Sequence, residues 1–438
     1  MVPHDTIRRD ASFGEANSGL SRRFDAPMGE TPGAEDSVVV EARGNVRVVT
    51  LNRPRQLNAL TLDVVQRLSS LWAAYEADAT VMCVVLRGSG RAFCAGGDVR
   101  AVHAMRPPVG DPRRSAAPLD ALEFFNLEYQ MNRLLHDMTT PHVALMDGVV
   151  MGGGCGVSVN GRFRVATERT VLAMPECAIG LVPDVGGTHF LSELPGASGT
   201  CLALTGRQVS GTDAKALGLA THIVSSGDLD MAVDALAQSL AGVGDRNEAV
   251  RVVSACLSRF ERVGDALKVT DLAPNLALLD QWFAADTVEN IIEALSASAT
   301  GADDVSERRL ASECLASIQA ASPTSLKVTL AALRRVAPTT SVNRPLPLTE
   351  CLRTELCMVA ACLAREDFYE GVRARLIDKG KGPPPRWEPG EIAGVSAREV
   401  EAFFEPETRE VEAVVGRFEV AVGLMLGRKR VGGASPRL

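Results

Sequence analysis

The chain has 438 residues, of which 46% are hydrophobic, 23% are charged and only 4% are aromatic. This composition is typical of a water-soluble globular protein whose core is built from Ala, Val and Leu, in one large domain or two ordinary ones. The formal net charge of −8 argues against general nucleic-acid binding. The 10 cysteines are scattered and have no zinc-ligand spacing. The sequence also lacks the apolar run of roughly 20 residues that a membrane span needs.

The first 36 residues are polar and predict either a disordered extension or a mitochondrial targeting sequence. The pairs Arg8-Arg9 and Arg22-Arg23 favour targeting, whereas the acidic residues among them argue against it, because transit peptides are usually acid-poor. No apolar segment of a secretory signal is present at the N-terminus. The last three residues, Pro436-Arg437-Leu438, resemble a peroxisomal targeting tripeptide only loosely, so that compartment is the weaker expectation.

From residue 37 to about 225, strand and helix patterns alternate. Two short strands are predicted over 38–40 and 46–51, then a helix with Thr61 as its N-cap, then a buried strand over 81–86. This order predicts a right-handed βαβ unit. The pattern continues with the following predicted elements: a helix over 122–138 and strands over 143–146, 163–166 and 171–173.

After residue 226 the strand signals fade and Ala/Leu-rich amphipathic segments follow. Ser322 before Pro323 predicts the start of a helix, and a second helix is expected over 348–365. We therefore divide the chain into an α/β core over 37–225, a helical region over 226–389 and a helical tail over 390–438.

Two glycine-rich corners, over 91–98 and 147–156, come after predicted strands. Glycine lets the chain turn sharply and lets a ligand approach the backbone, so each corner could aim an N–H group at one point, as an oxyanion hole requires. For either corner alone, a simple tight turn explains the glycines equally well. Neither corner contains a dinucleotide-binding or phosphate-loop pattern.

Together with other motifs, these corners resemble the crotonase (enoyl-CoA hydratase/isomerase) superfamily, and the later motifs resemble its 3-hydroxyisobutyryl-CoA hydrolase branch. The similarity runs from about residue 38 to 389 and is carried by the segments 51–61, 93–98, 151–154, 164–168, 173–176, 179–181, 183–187, 322–327 and 367–374. The resemblance implies a crotonase-like spiral of repeated ββα units followed by a helical C-terminal region. It also implies no cofactor other than the coenzyme A carried by the substrate.

The same resemblance implies roles for individual residues. The backbone N–H groups of Ala95 and Gly153 would bind the thioester oxygen. Glu176 would attack the thioester or activate water, and Asp184 would assist proton transfer and bind the substrate's hydroxyl group. Glu128 would contact the substrate. Further substrate-binding positions implied in the two corners are Gly96, Gly97, Asp98 and Gly152.

Each acidic residue also has a structural interpretation. Glu176 follows Pro175, which is a favourable helix start, Asp184 lies in a sequence that forms turns readily, and Glu128 could lie on a solvated helix face. Gly156 stands where hydratases of the superfamily have a second catalytic glutamate, so water addition by a pair of glutamates is disfavoured.

The prediction is therefore a thioester hydrolase of the mitochondrial matrix that acts in valine degradation on 3-hydroxyisobutyryl-CoA, with 3-hydroxypropionyl-CoA as a second substrate. The alternatives are a hydratase or isomerase of the same fold, and a component of the mitochondrial ribosomal small subunit. The expected partner is the acyl-CoA substrate, with no membrane and no direct nucleic-acid contact. Homo-oligomerisation and association with the mitochondrial ribosome are further possibilities.

Overall fold

The structure is a computed structural model that describes residues 36–262, 272–336 and 346–430. The predicted N-terminal extension, apart from Asp36, and the C-terminal tripeptide lie outside the described residues. No described helix combines the length and the apolar character that crossing a membrane would demand.

Ten strands form two sheets in these ranges. Their bounds are β1 Val38–Arg43, β2 Val46–Leu51, β3 Cys83–Gly88, β4 Ala92–Cys94, β5 His142–Met146, β6 Val149–Met151, β7 Phe163–Ala166, β8 Val171–Ala173, β9 Val209–Ser210 and β10 His222–Ile223. The larger sheet has the order β1-β2-β3-β5-β7-β10, and the smaller one the order β4-β6-β8-β9. Only the outer strands β1 and β9 pair antiparallel with their neighbours; the other pairs are parallel.

The helices that follow these strands in the first half of the chain are mostly short. Their bounds are α1 Leu62–Ala77, α2 Val99–Ala104, α3 Leu119–Asp137, α4 Gly153–Gly156, α5 Gly187–Ser192, α6 Ser198–Thr205 and α7 Gly211–Ala216. Helix α1 begins as predicted, because the Thr61 hydroxyl accepts a hydrogen bond from the Val64 N–H over 3.4 Å. The parallel pairing of β2 with β3 around α1 confirms the predicted βαβ unit.

Successive strands alternate between the two sheets: β3, β5 and β7 enter the larger sheet, and β4, β6 and β8 enter the smaller one. This is the predicted spiral of ββα units, and the fold prediction is confirmed. The predicted strand over 81–86 was placed slightly early, since pairing begins at Cys83. Both glycine corners were expected directly after the strands over 81–86 and 143–146. Instead each corner itself contains a short strand of the second sheet, β4 or β6.

The C-terminal half of the described chain is helical, as predicted. The bounds are α8 Leu229–Ser239, α9 Arg246–Ser258, α10 Leu276–Phe283, α11 Val288–Gly301, α12 Val305–Ala320, α13 Pro323–Val336, α14 Leu348–Leu363, α15 Glu366–Val372, α16 Ala397–Ala402 and α17 Arg409–Arg430. Ser322 caps α13 by accepting the Ser325 N–H over 3.2 Å. Helix α14 packs against α3 of the α/β core, and apolar residues of both regions share one buried cluster. Helices after residue 226 therefore contribute to the same core as the sheets.

Candidate active site

Three segments of the site follow neighbouring strands of the smaller sheet. Gly97 lies just after β4, Gly153 just after β6, and Glu176 shortly after β8. Because β4, β6 and β8 are parallel neighbours, their carboxyl ends meet at one edge of the sheet. The crevice outside the carboxyl ends of parallel strands is where ligands bind in open α/β sheets.

Two backbone amides, those of Gly97 and Gly153, lie close together at this edge of the sheet. A methyl group built on Gly153 would lie 3.1 Å from the amide nitrogen of Gly97, so the two corners are in contact. Among the residues that the structure describes, no acceptor is recorded for the N–H of Gly97 or of Gly153. Two adjacent unpaired N–H groups are the arrangement that binds a carbonyl oxygen as negative charge develops on it.

The prediction that Ala95 supplies one of these donors was wrong. The Ala95 N–H donates to the carbonyl oxygen of Leu57 over 3.0 Å and is therefore occupied. Gly96 then takes a φ of +105°, which glycine adopts readily, and Gly97 follows with its amide unpaired. The second corner has the same arrangement. Gly152 has a φ of +49° and donates its N–H to the carbonyl oxygen of Ala173, and the unpaired amide of Gly153 follows. In this structure Gly96 and Gly152 thus orient the donors.

Glu176 opens a short 3₁₀ helix, Glu176–Ile179, so the helix-start interpretation holds locally. Its side chain is nevertheless buried and turned to the corners: a methyl group on Gly152 would lie 2.8 Å from Glu176 Oε1. No partner for Glu176 Oε2 is recorded within the described ranges. Burial, and then the nearby charge of Asp184, raise the pKa of Glu176 well above its usual value.

Asp184 lies in a tight turn that is strained at the next residue. Val185 has a φ of +54°, a conformation that β-branched residues rarely adopt. The Asn160 side chain holds the turn by donating to the Val185 carbonyl over 2.8 Å. Burial raises the pKa of Asp184 to about 7, while a hydrogen bond donated by the Tyr129 hydroxyl lowers it.

Helix α3 presents Glu128 to the same space. Glu128 is only 1% exposed, so the solvated-face interpretation is wrong for this residue. Its Oε1 would lie 2.4 Å from a methyl group on Gly153, and no hydrogen-bond partner is recorded for that atom in the described part of the chain. Burial, followed by the charge of Asp184, raises the pKa of Glu128 well above its usual value.

Sequence reasoning missed three buried polar residues of the site, namely Tyr129, Asn132 and Glu355. Tyr129 and Asn132 lie on α3 within one turn after Glu128, and Glu355 is on α14. The spacing of Glu128 and Asn132, four residues apart on one helix face, was the available signal. Nothing in the sequence near Glu355 indicated that a helix about 170 residues beyond Asp184 returns to the site.

Asp98 lies in the first corner but has the contacts of a helix cap. Its carboxylate accepts the Ala101 N–H over 3.2 Å at the start of α2, and its own N–H donates to Leu60 over 2.8 Å. Asp98 also lines a cavity of about 420 Å³ at the N-terminal ends of α1, α2 and α3. The Phe124 ring, which would lie 3.4 Å from a methyl group on Gly97, stands between the unpaired amides and this cavity.

Gly156 has no room for a side chain. A methyl group there would lie 2.8 Å from Val185 Cβ and 3.0 Å from both amide atoms of Asn132. A glutamate at this position would displace the turn of Asp184. The packing around Gly156 therefore leaves no room for the second glutamate of the hydratases. Within 36–262, 272–336 and 346–430, no three His, Cys, Asp or Glu side chains are grouped so that they could hold a metal ion.

The family profile described as enoyl-CoA hydratase/isomerase matches residues 46–404. The protein named 3-hydroxyisobutyryl-CoA hydrolase 1 of Arabidopsis thaliana is 40% identical over 380 residues, which are 86% of this chain and 93% of that protein. The human protein named 3-hydroxyisobutyryl-CoA hydrolase, mitochondrial, is 37% identical over 380 residues, or 86% and 90% of the two chains. A solved structure titled carnitinyl-CoA dehydratase, from Mycobacterium thermoresistibile, is similar with a TM-score of 0.71 at 36% identity, covering 86% of this chain and 98% of that one.

Proposed function

The chain belongs to the enoyl-CoA hydratase/isomerase family, and we propose that it hydrolyses the thioester bond of 3-hydroxyisobutyryl-CoA. The products are 3-hydroxyisobutyrate and coenzyme A, a step of valine degradation. Relatives that carry this activity in their names match the chain over most of their length. 3-Hydroxypropionyl-CoA, which lacks one methyl group, is the second substrate that we propose.

The observation that carries the proposal is the pair of unpaired amides beside a buried carboxyl group. The N–H groups of Gly97 and Gly153 suit the thioester oxygen, and Glu176 Oε1 lies against the neighbouring Gly152. A donor of this kind contributes about 2.7–4 kcal/mol to stabilisation of the transition state. The carboxyl group next to it is the general base or nucleophile that thioester cleavage requires.

In the proposed reaction, a water oxygen bonds to the carbonyl carbon while Glu176 accepts one proton from that water. The carbonyl oxygen becomes an oxyanion that the two glycine amides stabilise. The carbon–sulfur bond then breaks, the carbonyl reforms, and the sulfur takes a proton from Asp184. Passage of the proton from Glu176 to Asp184 restores both groups, and coenzyme A leaves as the free thiol. Water and protein side chains supply every atom and proton, and coenzyme A enters as part of the substrate.

The surroundings of Glu176 and Asp184 suit their proposed roles as base and acid. A carboxylate whose pKa is raised is a stronger base, which favours Glu176 as the acceptor. With a pKa of about 7, Asp184 can hold and release a proton near neutral pH. Two carboxyl groups in one buried site also push each other's pKa values apart, so one acts as acid and the other as base.

A second route has Glu176 itself bond to the carbonyl carbon, giving an acyl anhydride that water then cleaves. A single turnover in ¹⁸O-labelled water detects an anhydride that water opens at the protein carbonyl. Direct attack by water places the label in the hydroxy acid alone, whereas an anhydride opened at the protein carbonyl places it in the Glu176 carboxyl group.

The function is tested by measuring release of free thiol from a panel of acyl-CoA thioesters. We expect the fastest release from 3-hydroxyisobutyryl-CoA, and no loss of the enoyl absorbance of crotonyl-CoA. Rapid hydration of crotonyl-CoA without thiol release would establish the hydratase alternative instead. The space around Gly156, too small for a second glutamate, supports the hydrolase.

We also propose that the protein works in the mitochondrial matrix, because the vertebrate relatives are named mitochondrial. Subcellular fractionation of the native cell tests this, with a peroxisomal fraction as the competing outcome. Self-association and contact with the mitochondrial ribosomal small subunit stay predictions. Sedimentation of the purified protein addresses the first, and co-sedimentation with ribosomal particles addresses the second.

A further inference from the structure

A fourth buried carboxyl group, that of Glu355 on α14, reaches the turn that carries Asp184. Glu355 Oε2 accepts the Gly186 N–H over 2.8 Å, and Oε1 accepts the Thr188 N–H over 2.9 Å and the Thr188 hydroxyl over 2.6 Å. Glu355 is 0% exposed. Three donors from one short segment therefore converge on a carboxyl group supplied by the helical region.

These hydrogen bonds stabilise the strained backbone of the turn that carries Asp184. Gly186 follows the strained Val185 and has a φ of +87°. From the other side of the turn, the Asn160 amide donates to the carbonyl oxygens of Gly156 and Val185. Asp184 thus lies in a turn clamped between Asn160 and Glu355. Strained backbone of this kind persists only where the surroundings fix it.

The clamp is strongest when Glu355 is a carboxylate. Both oxygens accept, and hydrogen bonds to a charged acceptor are about twice as strong as neutral ones. A glutamine would keep one acceptor oxygen and would direct an NH₂ group at a backbone N–H. Burying this charge without a paired cation is costly, and three donors offset only part of that cost.

Glu355 also acts through space on the other acidic groups. The groups that face it are Asp184, Glu176, Tyr129 and Cys351. Its negative charge helps to raise the pKa of Glu176, after the larger effects of burial and Asp184. Burial brings the pKa of Glu355 itself to about 7, so it is increasingly charged above neutral pH.

We propose that Glu355 is a positioning residue for the hydrolysis: it fixes the turn that carries Asp184. This inference rests on the proposed function. It gives the helical region a specific task, because that region supplies Glu355, one of the two side chains that hold this turn, while the α/β core supplies Asn160.

The test is Glu355→Gln in the full chain, with Glu350→Gln as the matched control. Glu350 is exposed and lies on the same helix. We expect Glu355→Gln to lower kcat by about 10–100-fold, the range of a lost charge-assisted hydrogen bond, with KM changed less than about twofold. The acid limb of the pH profile should move to lower pH, because removing a negative charge lowers the pKa of Glu176. Glu350→Gln should behave as wild type.

A purely structural role would lower the folded fraction without moving the pH limb, and that result would overturn the proposal. So would wild-type kcat in folded Glu355→Gln. If that variant does not fold, Thr188→Val removes one donor and keeps the side-chain shape. We expect kcat to fall by a factor of about 2–10, less than in Glu355→Gln because the two backbone donors remain, and unchanged kcat overturns the proposal. Absence of thiol release from the wild-type protein would instead reject the proposed function, so the two failures are distinct.

Discussion

The Tyr129 hydroxyl donates a hydrogen bond of 2.7 Å to Asp184 Oδ2, and both side chains are buried. Burial favours the neutral form of Asp184, whereas this donor favours its carboxylate. The opposing effects leave the pKa at about 7, where a carboxyl group can exchange protons under physiological conditions. One phenol therefore tunes the acid of the proposed reaction.

Replacing Tyr129 by Phe removes that donor and should raise the pKa of Asp184 further. If protonated Asp184 gives its proton to the leaving sulfur, activity falls as the pH rises through this pKa. The alkaline limb of kcat/KM should therefore move to higher pH in Tyr129→Phe. Tyr75→Phe, in the last turn of α1, is the matched control and should leave the profile unchanged. An alkaline limb at the wild-type position in Tyr129→Phe would remove Asp184 from the acid role.

Glu176→Gln should nearly abolish thiol release, because an amide can neither accept the proton of water nor attack the thioester. The expected loss of kcat is about 10²–10⁴-fold, the usual contribution of a general base. Glu193→Gln serves as the control, since 52% of the Glu193 side chain is exposed. Binding of a non-hydrolysable thioether analogue should persist in both variants. Wild-type turnover by Glu176→Gln would exclude this residue from the chemistry.

Gly153→Ala should damage catalysis more than folding. The new methyl group would lie 2.4 Å from Glu128 Oε1 and 3.1 Å from the Gly97 nitrogen, so the paired amides must move. We expect a loss of about 10²–10³-fold in kcat, comparable to removal of one oxyanion donor. The control is Gly244→Ala, where a methyl group meets nothing within 4 Å. Equal activity of the two variants would contradict the assignment of the Gly153 amide.

The sequence predicted the architecture well where a periodic pattern was long. The first residues of α1 and α13 were predicted from their N-caps, Thr61 and Ser322. The parallel pairing of β2 with β3 was predicted from the strand–helix–strand order. In the smaller sheet, β8 was predicted over 171–173, whereas the short strands β4 and β6 lie inside the glycine-rich corners and were missed. These strands are fixed by contacts with neighbours that are far away in sequence, which local patterns do not contain.

The sequence predicted which segments form the candidate site better than it predicted which atoms act there. The corners at Gly97 and Gly153 and the acids Glu176 and Asp184 do meet, as the resemblance implied. In the first corner we propose Gly97 in place of Ala95 as the donor, because the Ala95 N–H is bonded to Leu57. Glu355 was missed because its role depends entirely on the tertiary packing of α14.

The cluster of buried acids should also make the protein less stable as the pH rises. The pKa of Asp184 is about 7 in the folded protein, well above its ordinary value of 3.8. Between these values the unfolded chain has released the proton while the folded protein still holds it, so the free energy of unfolding falls as the pH rises through this range and levels off above it. Glu355, with a pKa raised to about 7, acts in the same direction.

Asp184→Asn removes one of the two carboxyl groups that hold a proton in the folded protein and release it on unfolding. We therefore expect a shallower decline of Tm between about pH 5 and 8, and at pH 8 a Tm above that of the wild type by a few degrees, together with reduced thiol release. Asp303→Asn, at an exposed position, should leave both the slope and the Tm unchanged. The measurement is thermal unfolding followed by circular dichroism across this pH range. An Asp184→Asn variant with the wild-type slope would contradict the buried proton of Asp184, because the substitution leaves every other titrating group in place.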